Sequence, residues 1–187
     1  TGTAALNINA IAVSNALTIL GNSATNVLMG TSFIDSLNGG NGSDIYLINS
    51  ASEHSQAEIN DNGTSGVDEI RFATTSSGTL TLYAGDIGIE RVVIGTGTNS
   101  TADTSGTAAA NIDANLAAKG LNIVGNAGSN SLKGSAFNDV ILGGLGTDSL
   151  LGHEGSDIYI IENPTDHTAA EINDSGNASI DELRFAA

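Results

Sequence analysis

One stretch decides the fold: "SLKGSAFNDVILGGLGTDSLLGHEGSDIYIIE", residues 131–162, in which an aspartate returns every nine residues. Asp139, Asp148 and Asp157 each stand just behind glycines and just ahead of apolar residues. A nine-residue period is neither that of an α-helix nor the two-residue alternation of a half-buried strand. The stretch therefore indicates a repeat unit that has a structure of its own.

The same unit occurs seven times in the chain. Each copy opens with Gly, carries Asp or Asn at its sixth position and has Leu, Ile or Tyr at its eighth. The units are "GNSATNVLM", "GTSFIDSLN" and "GGNGSDIYL" over residues 21–47, and "GNAGSNSLK", "GSAFNDVIL", "GGLGTDSLL" and "GHEGSDIYI" over residues 125–160.

The chain is also a duplication on a larger scale. The segment 1–22 matches 105–126 at an offset of 104, whereas 42–73 matches 155–186 at an offset of 113. The two offsets differ by nine, so the second copy carries one additional nonapeptide. We therefore predict two tandem modules, 1–104 with the block 21–47 and 105–187 with the block 125–160. The missing initial Met suggests that the chain is a piece of a longer one.

Composition narrows both the fold class and the partners. The 187 residues hold 21 Asp and Glu against 5 Lys and Arg, a net charge of −16, which argues against binding to nucleic acid or to an anionic membrane. There is no Cys, and no apolar run is long enough for a membrane span. With 24 Gly and 1 Pro, the composition is typical of an all-β protein with many tight turns.

The unit has a direct structural interpretation. Glycines early in the unit permit a tight turn, and the last three residues form a short strand whose middle, apolar side chain points inward. One nonapeptide then supplies half a coil, and two supply a full coil of a parallel β-solenoid. Sixth positions eighteen residues apart would stack, and their like charges would need a counter-ion. Ca²⁺ suits carboxylate and carbonyl oxygens better than Mg²⁺, and zinc lacks its usual ligands here.

The eighteen-residue rule predicts specific ligand pairs. Two of them continue the register one unit past the visible motif, to Asp166 and Glu53, where an ordinary surface acid is the alternative interpretation. The predicted pairs are Asp139 with Asp157, Asn130 with Asp148, Asp148 with Asp166, Asn26 with Asp44, and Asp35 with Glu53.

These units resemble the calcium-binding nonapeptide of the repeats-in-toxin (RTX, haemolysin-type) family, G-G-x-G-x-D-x-U-x with U apolar. "GGNGSDIYL" and "GGLGTDSLL" match this pattern fully, and "GHEGSDIYI" lacks one Gly. The resemblance implies a right-handed parallel β-roll with several Ca²⁺ ions between stacked turns. It also implies a secreted or surface-exposed bacterial protein that leaves the cell by type I secretion.

The resemblance further implies backbone carbonyl ligands, from the second and fourth residues of one turn and the first and third of the turn eighteen residues on. Phe33 and Phe137 replace the fourth-position Gly of the pattern, so the carry-over is weakest there. The carbonyl ligands so implied are those of Ser135, Phe137, Gly152 and Glu154, of Asn126, Gly128, Gly143 and Leu145, and of Asn22, Ala24, Gly39 and Asn41.

The segments after the blocks carry weaker signals. In "EINDNGTSGVDEIRF" and "EINDSGNASIDELRF", the pairs Asp61 with Asp68 and Asp174 with Asp181 either ligate a further ion or serve as turn residues. The segment 78–97 indicates two more strands that continue the solenoid. His54 and His167 lie beside acids, but a loop at the surface is the favoured interpretation for both.

The sequence thus predicts a calcium-binding β-roll segment of a large secreted or cell-surface repeat protein, which folds on extracellular Ca²⁺. No catalytic motif is present, so an enzymatic role is not expected. Two alternatives remain open: an accessory C-terminal module of a secreted protease or lipase, or a structural repeat of an adhesin or surface layer. End-to-end association with further repeats is a possible partner interaction.

Overall fold

The structure, a computed structural model, describes residues 2–56, 58–163, 167–168, 170–176 and 180–186. It is all-β apart from one turn of 3-10 helix at Ala51–Glu53. The strands are β1 (Asn7–Asn9), β2 (Thr18–Leu20), β3 (Val27–Met29), β4 (Ser36–Asn38), β5 (Ile45–Ile48), β6 (Glu69–Phe72), β7 (Gly78–Thr81), β8 (Arg91–Ile94), β9 (Ala110–Asp113), β10 (Asn122–Val124), β11 (Ser131–Lys133), β12 (Val140–Leu142), β13 (Ser149–Leu151), β14 (Ile158–Ile161) and β15 (Glu182–Phe185).

The strands stack into a parallel β-solenoid of about eight turns. One face is a nine-stranded sheet in the order β1-β3-β5-β6-β8-β10-β12-β14-β15, and the other holds the four strands β13-β11-β9-β7 and the pair β2-β4. Every pairing between these strands is parallel. Because β8, which precedes residue 104, pairs with β10, which follows it, the long sheet is continuous across the predicted boundary between the modules. The expected all-β parallel solenoid is confirmed, whereas the module boundary at residue 104 stays a prediction.

The eighteen-residue coil is visible in the strand register. Val140 lies beside Ile158 and Asn122 beside Val140, each one coil apart on the same sheet. The additional nonapeptide of the second copy also behaves as half a coil. By sequence alignment β10 corresponds to β2, yet the two lie in different sheets, while β14 and its counterpart β5 share the long sheet.

The eighth residue of each unit points into the core, as the pattern predicts. In the nonapeptide blocks these side chains are at most 3% exposed, and they pack in one continuous cluster along the solenoid axis. They are Leu28, Leu37, Tyr46, Leu132, Ile141, Leu150 and Tyr159. The two strands predicted within 78–97 are present as β7 and β8, and their Leu80 and Val92 are fully buried in the same cluster.

Truncating one core residue tests this packing. Leu150 is 0% exposed and Leu145, five residues earlier in the same nonapeptide, is 52% exposed. We expect Leu150→Ala to lower the free energy of unfolding by about 2–5 kcal/mol, because it removes buried contacts and leaves a cavity. Leu145→Ala is the matched control and should change it by less than about 0.5 kcal/mol. Denaturant unfolding at saturating calcium measures both, and equal losses would contradict the assignment.

Candidate metal centre

The sixth residue of a unit ties its turn to the preceding coil where it is Asp. Its side-chain oxygen then accepts a hydrogen bond from the backbone N–H of the residue eighteen positions earlier, whereas Oδ1 of Asn26 or Asn130 accepts an N–H of its own turn. The structure in this way brings together three of the predicted pairs, through bonds of 2.6 Å from Asn26 to Asp44, 2.8 Å from Asn130 to Asp148 and 2.8 Å from Asp139 to Asp157.

The second oxygen of these carboxylates divides them into two kinds. In Asp35 and Asp139 it accepts a backbone N–H from Thr31 or Ser135 of the same turn, so both oxygens have protein donors. In Asp44 and Asp157 the Oδ2 atom is buried and, among the described residues, has no hydrogen-bond partner. Burying a carboxylate oxygen without a donor costs free energy unless a cation or proton meets it. A hard cation fits these two turns.

The electrostatics of the turns agree with that requirement. Burial raises the pKa of Asp44 to about 6, although the N–H of Asn26 acts in the opposite sense, and nearby Asp61 raises it further. Burial likewise raises the pKa of Asp157 to about 6, and the pKa of Asp139 is raised by the same cause. The folded chain therefore disfavours the charged carboxylates when no cation accompanies them.

A third carboxylate joins the last turn of each block. Oxygens of Asp44, Asp61 and Asp68 all lie within 4.8 Å of one another, and so do oxygens of Asp157, Asp174 and Asp181. The sequence predicted only the last two members of each set as a pair. Asp61 also serves its turn structurally, because its Oδ1 accepts the N–H groups of Gly40 and Gly63.

Two units escaped the sequence prediction. "GTSGVDEIR" (63–71) and "GDIGIERVV" (85–93) have Gly first and fourth, an acid sixth and an apolar residue eighth. They continue the same ladder: the N–H of Asp44 donates to Asp68, 24 residues on, and the N–H of Asp68 donates to Glu90, 22 residues on. The repeat was missed because these coils are longer than eighteen residues and because one of them replaces Asp with Glu. A search that allowed variable spacing would have found both.

The other two predicted pairs, Asp35 with Glu53 and Asp148 with Asp166, continued the eighteen-residue register past the end of each block. The structure does not bring either pair together among the residues that it describes. Leu37 of β4 pairs with Ile59, twenty-two residues later, because the 3-10 helix lengthens this coil. The eighteen-residue step from Asp35 to Glu53 was therefore wrong in register. Glu53 instead closes a capping box, in which its side chain accepts the N–H groups of Asn49 and Ser50. Asp166 lies outside the described residues.

The predicted carbonyl ligands lie where consecutive turns meet. Several of them face a glycine of the next coil so closely that a Cβ there would lie 2.3–2.9 Å from the oxygen. These are the carbonyls of Asn22, Ala24, Asn126, Gly128 and Phe137, which face Gly40, Gly42, Gly144, Gly146 and Gly155. The carbonyls of Gly39, Gly143 and Gly152 approach the first glycine of the preceding coil in the same way. Ser135 hydrogen-bonds Asp139, and Asn41, Leu145 and Glu154 are exposed at turn tips.

His54 is not the surface residue that its loop position suggested. It is 7% exposed, and its Nε2 lies 3.0 Å from Oδ2 of Asp86 in the next coil. Burial lowers its pKa, but the nearby carboxylates of Asp86 and Glu58 outweigh burial and raise it to about 9. His54 thus bridges two coils. Its counterpart His167 is half-buried and lies 2.7 Å from Glu171.

Comparison with known proteins agrees with this geometry. The turns and sheets define a repeat β-solenoid whose stacked acidic turns are suited to hard cations. The family model of the RTX calcium-binding nonapeptide repeat matches residues 20–47 and 124–159, in four copies. The chain therefore carries RTX repeats, a structural calcium-binding unit, and the predicted resemblance is confirmed. No curated protein and no solved structure gives a match.

A glycine substitution tests the close stacking of turns. Gly144 has φ of +91° and a Cβ there would lie 2.3 Å from the carbonyl oxygen of Asn126, whereas Gly97 has the same φ with no atom within 4 Å. We expect Gly97→Ala to cost about 1–2 kcal/mol through backbone strain alone. Gly144→Ala should cost clearly more and should also weaken calcium binding, because the clash separates the two turns. Unfolding and calcium titrations measure both effects, and equal costs would contradict the stacking.

The raised pKa values predict an unusual pH dependence. Folding raises the pKa of Asp44 and Asp157 to about 6 and that of Asp68 to about 7, from 3.8. Metal-free protein therefore holds protons that the unfolded chain releases, so its stability should fall as pH rises from about 4 to about 7. With saturating calcium the carboxylates are deprotonated and stability should rise with pH instead. The folded fraction of metal-free protein, measured by circular dichroism between about pH 4 and 7, and the melting temperature with saturating calcium check this, and parallel trends would contradict it.

Proposed function

We propose that this chain is a calcium-dependent folding segment of a large secreted or cell-surface bacterial repeat protein. The observation that carries the proposal is the buried Oδ2 of Asp44, for which the described residues provide no hydrogen-bond donor, and the same feature at Asp157. The match to RTX repeats indicates that the ion is calcium, since such repeats bind calcium in general. The carboxylates and backbone carbonyls of these turns offer oxygen ligands, which are the ligands that Ca²⁺ prefers.

The residues that would hold the ions are those of the stacked turns. The side chains of Asp139 and Asp157 would serve one site, those of Asn130 and Asp148 a second, and those of Asn26 and Asp44 a third, each completed by carbonyls of the two turns. Asn replaces Asp in two of these three sites and removes one negative charge, so we expect those two to bind more weakly. A bound ion would neutralise the stacked carboxylates and allow the coils to pack.

Calcium would thereby switch the segment between two states. In calcium-poor cytosol the acidic turns repel one another, the net charge of −16 remains uncompensated, and the chain stays largely unfolded for export. Outside the cell, millimolar calcium fills the turns, since extracellular modules bind at roughly 10⁻⁴–10⁻³ M. A site at 100 times its Kd adds about 2.7 kcal/mol of stability, so several sites together decide folding.

A structural role in a repeat array is favoured over an accessory role beside an enzyme. The observation behind this choice is that the chain itself contains two aligned copies of a module, and that one parallel sheet runs through both of them. The long sheet presents its strands edge to edge along the axis, which is how further modules would extend it. Among the described residues, no helix is long and apolar enough to cross a membrane.

Circular dichroism with calcium titrated into metal-free protein tests the proposal. We expect a coil spectrum that converts cooperatively to a β spectrum in the range of about 10⁻⁴–10⁻³ M calcium, and a much smaller effect of magnesium. Asp157→Asn should raise the calcium midpoint, whereas Asp103→Asn, an exposed carboxylate outside the turns, should leave it unchanged. A β spectrum that persists in full without calcium would refute calcium-driven folding.

A further inference from the structure

The carboxylates that follow each nonapeptide block form clusters that the repeat motif does not account for. Asp61 and Asp174 belong to no nonapeptide and lie outside the residues that the family model matches. Each follows a nonapeptide block in the sequence. Each places its carboxylate beside the sixth residue of the last unit of that block, which is Asp44 in the first block and Asp157 in the second. The same arrangement occurs twice, at positions 113 residues apart.

The first cluster is enclosed by protein. Asp44, Asp61 and Asp68 are 0%, 3% and 5% exposed, and three carboxylates at this separation repel one another strongly in a buried site. The backbone N–H of Asn26 donates to Oδ1 of Asp44, but Oδ2 of Asp44 remains buried without a partner among the described residues. In the second cluster, Oδ2 of Asp157 and Oδ2 of Asp174 are also buried and have no hydrogen-bond partner among the described residues. These oxygens are the independent sign that a ligand belongs between the carboxylates.

We propose that Asp44, Asp61 and Asp68 together hold one divalent cation of the calcium class, and that Asp157, Asp174 and Asp181 hold its counterpart at the end of the second block. This inference rests on the proposed function and adds to it a site type with three carboxylates, one of which comes from outside the repeats. Three negative charges on one ion exceed the one or two side-chain charges of the sites inside the blocks. Since ligand charge count tunes calcium affinity, these two sites should fill first.

Tyr46 positions the third carboxylate. Its hydroxyl accepts the N–H of Gly39 and donates to Oδ2 of Asp61, with both distances 2.7 Å. The ring is fully buried, so the hydroxyl is fixed relative to the turn and so is the carboxylate it contacts. Tyr159 shares the first of these two bonds, since its hydroxyl accepts the N–H of Gly152 at 2.7 Å, and its side chain is likewise buried. An eighth-position Tyr therefore marks the unit that ends a block, where other units have Leu or Ile.

Counting bound calcium ions tests the proposal. Wild type, Asp61→Asn, Asp174→Asn and the control Asp103→Asn are equilibrated at one free calcium concentration, just above that at which the first ions bind, and ions per chain are measured by elemental analysis. We expect each cluster variant to hold one ion fewer than wild type, and the control to hold the same number. Asn keeps an acceptor oxygen for the N–H groups of Gly40 and Gly63, so the fold should survive at saturating calcium.

The outcomes are distinguishable from those of the proposed function. If wild type binds calcium and folds with it, but both cluster variants hold the wild-type number of ions, the three-carboxylate sites are overturned while the proposed function stands. If wild type binds no calcium, the proposed function itself fails. Should Asp61→Asn not fold even at saturating calcium, Asp174→Asn decides alone, because Asp174 is only half-buried and Asp181 is exposed.

A second measurement separates ligation from mere structural support. Tb³⁺ takes calcium sites and emits when a nearby tyrosine is excited, and the chain has no Trp to compete. Titrating Tb³⁺ should give strong emission at the first equivalents, and Tyr46→Phe combined with Tyr159→Phe should remove most of it. The same double variant should weaken calcium binding at these sites by about tenfold or more, as loss of a residue that orients a ligand does. Unchanged early emission in the double variant would contradict the assignment.

Discussion

The solenoid depends on one hydrogen bond, from the backbone N–H of a sixth residue to the side chain of the sixth residue one coil later. The bond recurs along the long sheet, from Asn26 to Asp44, Asp44 to Asp68 and Asp68 to Glu90, and again from Leu121 to Asp139, Asp139 to Asp157 and Asp157 to Asp181. It sets the register between coils, but it also packs carboxylates close together out of water. Each added coil thus gains an N–H donor and a charge that needs compensation.

The hydrogen bond between coils determines both the geometry of the turns and their need for a cation. The carboxylate can reach back only if its turn lies against the preceding one, and at that distance a side chain at Gly40 or Gly144 would collide with a carbonyl oxygen. Close stacking also gathers those carbonyls around the acid, which is the ligand environment that a hard cation prefers. Glycine, aspartate and calcium are therefore consequences of one constraint, the spacing between coils, and none of them can be changed alone.

The sequence predicted those parts of the fold in which this constraint acts at a fixed interval. Within the blocks the interval is eighteen residues, so the pairs such as Asp139 with Asp157 and the inward residues such as Leu132 could be assigned from spacing alone. Outside the blocks the coil length depends on inserted structure, such as the 3-10 helix that Glu53 caps, and nothing local fixes the register. Asp68 and Glu90 were therefore not recognised as members of the ladder. The burial of His54 was also not predictable, because its partner Asp86 lies in another coil.

The position between the two copies shows what happens where the ladder stops. Leu121 occupies the sixth position of the coil after Glu90, and it contributes its backbone N–H but no charge. Glu90 instead meets the ammonium of Lys119, at 2.6 Å. An exposed pair of this kind adds little stability, but it supplies a positive charge to a carboxylate whose neighbour in the next coil, Leu121, is not acidic. The ladder of acidic side chains is thereby divided into two stretches, one in each copy, and at the interruption a lysine of the chain itself meets Glu90.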